Sequence, residues 1–484
     1  MVKYKTSDSV CFIGYALLLA ICSSVLYLSG FGNDKFVFFR ATAIVTITEL
    51  VVFIYINCKR GNLISFQTLF AAFLFVFNFG QVIILAFFSN IYERIIEYNV
   101  IELVTFTQYR HALQLINLSF SLICLGMLFP HKEKIVKDNA FDENEVQIRM
   151  HKFAIYILIL TFPLKIIIDV WQLYIAATSG AVAAREALSS VPDAIVTFGN
   201  LSIIGLVLLL WAEKNKVKRL KLLSFELLYF CLTMLSGRRS ETAVTLCVIF
   251  IFYLIITIKK VKVKSVVVIF ALGYLFATIL YTIVYMRVNH GNSMSIGVFF
   301  SSFLHCLTNE NILLEVLREY GNTGYTAIMV IENWLPKFGP VMGKSYYLGI
   351  FPVFINIGGI AGDLTTQSRF TLQLVESEVL DHRYTNIGGS LIGELFFNFG
   401  IVGGVLASFI CGLIIGKIFR KTMDYCRTAD FVKLSVCIIP IIAIIYSVRS
   451  EFYYMIRDVV WGYIFSILLA NILFKKTKVS PKEG

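Results

Sequence analysis

Long apolar runs follow one another along the whole chain and are separated by short polar stretches. Most runs approach or exceed the roughly 20 apolar residues that a helix needs to cross a bilayer. The pattern therefore predicts an all-α, polytopic integral membrane protein. We predict about twelve membrane-spanning helices, at residues 10–29, 36–57, 63–88, 112–129, 153–177, 194–212, 222–236, 242–258, 265–286, 388–416, 434–448 and 459–474.

The first apolar run, "VCFIGYALLLAICSSVLYLSG", is too long for the core of a signal peptide and lacks an A-x-A-like cleavage site. We expect it to be a retained first helix. The predicted helices divide the chain into three sections. Residues 1–286 hold the first nine helices, residues 287–387 form one large outward loop, and residues 388–484 hold the last three helices and a cytoplasmic tail.

The large loop has the composition of a structured segment. "SIGVFFSSFLHCL", "NILLEVLREY" and "YTAIMVIENWL" predict amphipathic helices. "GKSYYLGIFPVFINIGGIAGD" is broken by Pro352 but is apolar enough to dip into the membrane surface. Long loops that keep structure are usually functional. We therefore expect the working site on the face of the membrane that carries this loop.

The distribution of basic residues orients the chain in the membrane. With both termini in the cytoplasm, 27 of the 43 basic residues lie inside and 14 lie outside, whereas Arg40 and Lys165 fall within spans. This bias follows the positive-inside rule. The formal net charge of +12 is therefore a membrane-orientation signal, and we expect no nucleic-acid partner.

The type of basic residue also changes across the membrane. The inside segments hold 22 Lys and 5 Arg, whereas the outside segments hold 3 Lys and 11 Arg. Orientation does not require this change, but a planar guanidinium is suited to bidentate binding of phosphate or carboxylate. Local ion pairs with Asp and Glu would explain any single arginine. The whole set favours an anionic ligand on the outer face.

Two outward turns place arginines at the ends of short helices. In "LSGRRSE", sixteen residues separate Lys221 from Arg238. They would span about 24 Å as a helix, against a hydrocarbon core of about 30 Å. Arg238 and Arg239 are therefore expected near the depth of lipid phosphates, and "VRSEFYYMIRD" places Arg449 at a corresponding turn. Anchoring of ordinary lipid headgroups is the alternative.

Arginines beside a group that can deprotonate a hydroxyl suit group transfer from a lipid pyrophosphate. Fixed guanidinium groups stabilise the leaving group's charge without a metal, and the histidines and cysteines show no metal-ligating spacing. Glu394 is a candidate base near the outer end of a helix, although a structural pair with an arginine is an equal alternative. The predicted pyrophosphate-binding residues are Arg238, Arg239, Arg287, Arg369, Arg383 and Arg449, and the unranked candidate bases are Glu378, Asp381, His382 and Glu394.

The helix that follows the loop carries small residues at every fourth position. This stripe allows another helix to approach closely, so we interpret it as a packing surface. Its members are Gly400, Gly404, Ser408, Gly412 and Gly416.

The "SGRRS"-type turn, the loop motif "GKSYYLG..P" and the helix "GGSLIGELFFNFGIVGG" together resemble the bacterial O-antigen or oligosaccharide repeat-unit polymerases of the Wzy type. The resemblance implies a metal-independent glycosyltransferase of the lipid-donor, GT-C-like kind, without a cofactor. Such enzymes move a growing glycan from undecaprenyl pyrophosphate onto a new lipid-linked repeat unit, at the outer face of the bacterial inner membrane. Family members use outward-loop arginines, and by motif match this role comes to Arg238 and Arg239, and also to Arg287, Arg369 and Arg383.

The resemblance also implies the partners. Donor and acceptor are undecaprenyl-pyrophosphate-linked oligosaccharides within membrane lipid, and a chain-length regulator and a flippase of the same pathway are further candidates. Among the alternatives, the related O-antigen ligases carry a His-Asn motif where this chain has Gly389-Ser390, although His382 lies close in sequence. A flippase or other transporter would need ionisable residues deep in the bundle, where only Arg40, Glu49, Lys165 and Asp169 qualify. A membrane scaffold would not explain the outward arginines.

Overall fold

A computed structural model describes residues 6–30, 34–60, 63–88, 103–130, 143–236, 238–258, 263–290, 296–354, 360–377 and 388–474. In these ranges the regular secondary structure is helical throughout, so the predicted all-α class is confirmed. The helices are α1 (Thr6–Ser29), α2 (Lys35–Lys59), α3 (Phe66–Phe87), α4 (Phe106–Met127), α5 (Glu143–Ser189), α6 (Asp193–Asn200), α7 (Ser202–Ala212), α8 (Lys216–Met234), α9 (Arg239–Thr257), α10 (Val263–His290), α11 (Ile296–Asn309), α12 (Ile312–Gly321), α13 (Thr323–Met329), α14 (Leu335–Phe338), α15 (Lys344–Leu348), α16 (Ile360–Ser368), α17 (Phe370–Glu376), α18 (Leu391–Thr428), α19 (Phe431–Tyr446) and α20 (Tyr453–Leu473).

Eight helical segments of the described ranges are long and apolar enough to cross a membrane, which confirms a polytopic membrane protein. Two predicted spans coincide with shorter apolar helices, Gly273–Met286 and Phe431–Tyr446. The two others coincide with α4 and α8, which are helical but less apolar. The number twelve stays a prediction. The eight segments are Ser9–Ser29, Lys35–Lys59, Phe66–Phe87, Asn144–Gly180, Asp193–Ala212, Ser240–Thr257, Leu391–Thr428 and Ile456–Leu473.

The predicted amphipathic segments of the large loop are helices. α11 and α12 cover the first two, and the third runs through α13, a π-helical turn at Val330–Trp334, and α14. The glycine-rich segment that follows contains α15, a 3₁₀ turn at Phe351–Val353 and the start of α16, whereas residues 355–359 lie outside the described ranges. Its predicted dip into the membrane surface stays a prediction.

The chain forms two compact units that interleave in sequence. The first unit comprises the described residues within 1–135, 258–420 and 444–454. The second unit comprises those within 136–257, 421–443 and 455–484.

Small residues allow close helix packing within the first unit. A Cβ atom at Gly412 would lie 2.2 Å from the carbonyl oxygen of Ile123, and one at Gly416 would lie 2.8 Å from the Cα of Met127. Gly412 and Gly416, two members of the small-residue stripe, therefore pack α18 against α4, as predicted. Gly400 has a different use, because its φ of 71° breaks α18 in a conformation that L residues rarely adopt.

In the second unit, α5 packs against α6 and α7, while α9 packs against α7 and α8. α5 is also two helices joined at Gly180, whose φ is 89°. Phe153 of α5 contacts the rings of Phe431 and Phe474, with centroids 5.6 Å and 6.0 Å away. The hairpin of α8 and α9 lies beside α5, because Tyr229 of α8 donates to Asp169 of α5 and α7 packs against all three helices.

The deep ionisable residues considered for a transporter have partners inside their own unit. In the first unit, Arg40 Nε donates to the carbonyl of Ala86 at 3.2 Å, and Glu49 accepts from Asn117 Nδ2 at 2.8 Å. In the second unit, Lys165 and Asp169 form an ion pair at 2.9 Å.

Candidate active site

The predicted pyrophosphate-binding arginines are divided between the two units. Arg238 directly precedes α9 in the second unit, and Arg239 is the first residue of that helix. Arg287 lies in α10, which belongs to the first unit. The first unit also contains Arg369 and Arg449. The predicted residues Arg383, Glu378, Asp381 and His382 lie outside the described ranges, so their roles stay predictions.

Arg449 lies in the turn between α19 and α20. Its guanidinium lies over the rings of Tyr320 and Phe77, at 5.2 Å and 5.7 Å from their centroids. Aromatic faces attract a cation electrostatically without occupying its N–H donors. Its Nη1 is buried and has no hydrogen-bond acceptor in the part of the chain that the structure describes. A donor of Arg449 is therefore available to a ligand.

Arg369 has similar surroundings at the start of α17. Its guanidinium lies over the ring of Tyr453 at 5.8 Å. Its Nε is buried and likewise has no acceptor among the described residues. Buried donors normally have a partner, and a buried donor without one is unfavourable. Arg369 and Arg449 therefore share the character expected of arginines that bind an anion.

Glu451 connects the Arg449 turn to the helix that follows Arg369. Its Oε1 accepts a hydrogen bond from Thr371 Oγ1 at 2.5 Å, and its Oε2 accepts from the Thr371 amide at 3.5 Å. Burial raises the pKa of Glu451, while the Thr371 hydroxyl and the charge of Arg369 lower it. These bonds bring together segments that are 80 residues apart in sequence.

Glu394 makes a second set of hydrogen bonds that connects separate segments of the first unit. It lies in the first turn of α18, is 2% exposed, and accepts from Ser345 Oγ at 2.9 Å and from the Phe452 amide at 3.0 Å. Asn398 Nδ2 in turn donates to Ser345 Oγ at 2.7 Å. Glu394 thus connects α15, α18 and the Arg449 turn, and within the described ranges its partners are a hydroxyl and an amide rather than an arginine.

Gly388 brings the end of the large loop to Arg449. A Cβ atom at Gly388 would lie 3.9 Å from Arg449 Nε, and one at Gly389 would lie 2.5 Å from the carbonyl carbon of Ser450. Thr326 of α13 also donates to the Gly388 carbonyl at 2.6 Å. Glycine is required at position 389 because the two backbones are in direct contact.

Arg238 has different surroundings in the second unit. Its Nη2 lies 2.9 Å from both carboxylate oxygens of Glu241, and its Nε lies 3.2 Å from Oε2. This is a bidentate pair, the strongest form of arginine–carboxylate contact. The charge of Arg238 is therefore balanced locally by a residue on the next turn of the same segment.

A small cavity of about 20 Å³, room for about one water molecule, opens beside this pair. A second ion pair, between Lys165 and Asp169, lies in its wall, and the Tyr229 hydroxyl donates to Asp169. The lining residues are Lys165, Asp169, Asn200, Ile203, Phe230, Thr233, Ser236, Arg238, Glu241, Thr242 and Thr245.

Sequence reasoning did not identify several residues of these sites. Thr371, Ser345 and Phe452 contribute through contacts that only folding creates. Asn398 and Glu241 had a local signal, because residues three or four positions apart on a helix share a face. Asn398 is four residues after Glu394, and Glu241 is three after Arg238.

Comparison with known proteins matches the chain to a protein family. The family described as O-antigen polysaccharide polymerase Wzy matches residues 10–479. This range includes every candidate site residue. No curated protein and no solved structure matches the chain.

Proposed function

Because the chain belongs to the O-antigen polysaccharide polymerase Wzy family, we propose that Arg369 and Arg449 bind the pyrophosphate of its lipid-linked donor. The family confirms the resemblance drawn from the motifs. The protein is a membrane glycosyltransferase that polymerises lipid-linked O-antigen repeat units. We further propose that the lipid carrier is undecaprenyl pyrophosphate, that the site faces outward and that catalysis needs no metal. We also propose which residues form the site.

The reaction determines what the site must supply. A hydroxyl oxygen of the acceptor glycan bonds to the anomeric carbon of the donor, and the bond from that carbon to the pyrophosphate oxygen breaks. The hydroxyl proton passes to a base, and the lipid pyrophosphate leaves with the bonding electron pair. Negative charge therefore grows on the leaving oxygen, and preorganised donors aimed at it lower the barrier.

The buried, unpartnered donors of Arg369 and Arg449 carry the proposal. A pyrophosphate would supply an acceptor for Arg369 Nε and for Arg449 Nη1, which have none among the described residues, and guanidinium groups match phosphate oxygens geometrically. The rings of Tyr320, Phe77 and Tyr453 would hold both cations in place before the ligand binds.

Glu394 and Glu451 support this site as positioning residues. Each carboxylate bonds to groups on another segment of the first unit, Glu451 to Thr371 and Glu394 to Ser345 and Phe452. Both therefore fix the turn that carries Arg449. A rigid turn keeps the guanidinium at the position where the leaving-group charge develops.

The proton-accepting base remains among the residues proposed from the sequence. Glu378, Asp381 and His382 shortly precede Gly388, the residue whose backbone lies against Arg449. This sequence position supports them as bases for a site at Arg449. The pyrophosphate-binding roles of Arg238, Arg239, Arg287 and Arg383 remain predictions, and a base role for Glu394 is the alternative to its supporting role.

The positive-inside bias supports both termini in the cytoplasm of a bacterium and the large loop on the periplasmic side of its inner membrane. The substrates there are undecaprenyl-pyrophosphate-linked oligosaccharides. A chain-length regulator and a flippase of the same pathway are the proposed protein partners.

Deletion of the gene tests the function in the host. Loss of the polymerase should leave single repeat units on the anchor lipid, whereas loss of a flippase or ligase should leave no repeat unit there. The surface glycan is compared on a gel before and after deletion, with the unmodified gene restored as a control. A full polymer ladder in the deletion strain would contradict the proposal.

Substitution of the two arginines tests the site. Arg369→Ala and Arg449→Ala should each remove most of the ladder from the complemented strain, and lysine at either position should restore it only in part, because lysine lacks the bidentate fork. An expected loss of about 10²- to 10³-fold in rate corresponds to one preorganised donor. Polymer length is measured on a gel at equal membrane expression.

Arg427→Ala is the matched control. Arg427 is an exposed arginine that contacts Asp424 at 3.9 Å and should tolerate the change. A normal ladder from both Arg369→Ala and Arg449→Ala would refute the pyrophosphate-binding role.

A further inference from the structure

We propose that α11, α12 and α13 of the large loop are embedded in the outer leaflet of the membrane. In this arrangement α11 presents an apolar face, formed by Phe300, Leu304 and Leu307, to the acyl chains of the lipid. The sequence predicts the loop outside the membrane, between two spans. The contacts of the three helices favour a position beside the spans, and this position does not depend on which residues bind the substrate.

α12 and α13 pack against the outer half of α3. A Cβ atom at Gly80 of α3 would lie 2.5 Å from the carbonyl oxygen of Leu317, and one at Gly324 would lie 2.7 Å from the carbonyl oxygen of Asn78. The 22 residues of α3 span about 33 Å, which just covers a hydrocarbon core of about 30 Å. Asn78 and Gly80 precede the last residue of α3, Phe87, by about 10–14 Å of helix rise. The crossing point therefore lies well below the outer end of α3.

α11 packs against the part of α10 that belongs to the predicted span 265–286. Cys306 of α11 is buried in one cluster with Tyr281 of α10 and Ile312 of α12. The ring of His305 lies against that of Tyr285, with centroids 5.1 Å apart. Residues 281 and 285 both fall within the apolar segment Gly273–Met286. α11 thus lies beside a membrane segment rather than beyond its end.

The surface of α11 has the composition of a helix in lipid. Its fourteen residues include no Asp, Glu, Lys or Arg, whereas about 25–35% of the residues on a water-exposed surface are typically charged. Phe300 and Leu304 are 60% and 59% exposed, and Leu307 is exposed beside them. Residues spaced by three and four positions share one face of a helix. The buried residues Ser302 and Cys306 share another face, which lies towards the protein.

The exposed polar side chains of α11 have partners that do not require water. Ser301 Oγ donates to the carbonyl three residues earlier at 3.0 Å, and Thr308 Oγ1 donates to the carbonyl four residues earlier at 2.9 Å. Asn309 Nδ2 lies 3.0 Å from His305 Nδ1. Hydroxyl groups that bond to their own helix are satisfied locally. These groups therefore do not oppose contact with lipid.

α12 carries charged residues in the arrangement that membrane segments use. Glu315 is buried and pairs with Arg318 at 2.7 Å, and the charge of the half-buried Glu319 also acts on Arg318. Charged side chains within a membrane pair with one another and face the protein interior. A helix in water would instead expose its charges.

The position of α12 also sets the depth of the proposed pyrophosphate site. Arg449 lies over the rings of Phe77 and Tyr320, and Phe77 precedes Phe87 by about 15 Å of helix rise. Resting on the proposed function, this places the pyrophosphate between membrane helices, below their outer ends. Fixed donors stabilise a developing charge more strongly in such a water-poor site than in water.

Spin labels on the full chain in nanodiscs test the position of α11. Phe300→Cys and Leu304→Cys are each labelled in a chain otherwise free of cysteine. Oxygen concentrates in lipid and a nickel chelate stays in water, so both labels should relax faster with oxygen than with the chelate. Leu406→Cys is the lipid control, because Leu406 is exposed on the membrane-spanning α18. Glu145→Cys is the water control, because Glu145 and its partner Arg149 are both exposed, and its label should show the reverse order.

Photo-crosslinking tests the same face in a chain that keeps its ten cysteines. With p-benzoylphenylalanine in place of Phe300, irradiation should add the mass of one phospholipid to the protein. The same group in place of Glu145 should add none. This measurement decides the question by itself if the chain without cysteine does not fold.

Two results would overturn the proposal. The first is a label at position 300 or 304 that the nickel chelate reaches more readily than oxygen, because α11 would then lie in water. The second is a label that neither reagent reaches, together with crosslinking to a second copy of the chain, because the apolar face would then be a protein interface. Neither measurement depends on polymerase activity, so failure of the proposed function would be seen separately in the deletion strain.

Discussion

At the scale of single residues, arginines of the candidate sites differ in their hydrogen-bond partners. Arg449 and Arg369 lie over aromatic rings and keep buried donors without described acceptors, whereas Arg238 is held by the carboxylate of Glu241. An arginine that retains unsatisfied donors is ready for an anion, whereas an arginine that is already paired has its charge balanced by its carboxylate partner. The residue type alone therefore does not define the ligand.

Two substitutions of Glu394 distinguish a supporting role of its side chain from a catalytic role. In Glu394→Gln the side-chain oxygen can still accept from the Phe452 amide, and the new side-chain amide can donate to the Ser345 hydroxyl. We therefore expect a nearly unchanged melting temperature and a normal polymer ladder. Glu394→Ala leaves buried groups unpaired and should lower the unfolding free energy by about 1–3 kcal/mol. Thermal unfolding in detergent and the glycan gel provide the two measurements.

The control for this pair is the comparison between the two substitutions themselves. A folded Glu394→Gln protein that makes no polymer would contradict the supporting role and place the carboxylate in the reaction as a base.

At the scale of helices, glycines have two distinct uses in α18. Gly412 and Gly416 allow the backbone of α4 to approach closely, while Gly400 ends one helical segment and starts another. The segment before the break carries Glu394 and Asn398, and the segment after it packs against α4. The break thus allows one element to serve both the candidate site and the packing of the bundle.

Gly412→Ala tests the packing. Its Cβ would lie 2.2 Å from the Ile123 carbonyl oxygen, so α18 and α4 must move apart. Overpacking of this kind typically costs about 1–3 kcal/mol. We expect a lower midpoint of denaturation in detergent. Gly14→Ala in α1 is the control, because a Cβ there meets nothing within 4 Å. Its unfolding free energy should be within about 0.5 kcal/mol of that of the unmodified chain. Equal stability of the two variants would argue against close packing at Gly412.

At the scale of the whole molecule, the predicted orientation places most of the basic residues, 27 of 43, on one side of the membrane and the structured loop on the other. This arrangement follows from the predicted orientation and supports an outward-facing site. A polymerase that uses lipid-linked repeat units needs both the membrane helices for the lipid and a polar face for the glycan.

The orientation is tested by cysteine labelling in spheroplasts. Met342 of the large loop is 77% exposed, and Met342→Cys, in a chain otherwise free of cysteine, should react with a membrane-impermeant maleimide. A chain that keeps only Cys58, exposed at the end of α2, should react only after the membrane is permeabilised. Labelling in the reverse order would contradict the predicted orientation.

The sequence by itself determined the helices, the membrane class and the charge asymmetry. Each of these depends on local composition, since apolar length predicts a membrane helix and helical periodicity predicts α11 and α12 within the loop. It also placed Arg369, Arg449 and Glu394 among the candidates, Arg369 from its place in the large loop and the other two from their positions at helix ends. Glu241 was within reach of the same reasoning, because it lies three residues after Arg238.

Only the tertiary structure decided which of these residues meet. Thr371 and Glu451 are 80 residues apart, and Ser345 and Glu394 are 49 apart. Contacts at such separations depend on how helices pack, and no local pattern encodes them. The same holds for the cavity, whose walls come from α5, α7, α8 and α9 with the α6–α7 junction. The sequence determines which side-chain groups are present, but only the folded chain places Arg449 over the rings of Tyr320 and Phe77 with a buried donor that has no acceptor among the described residues.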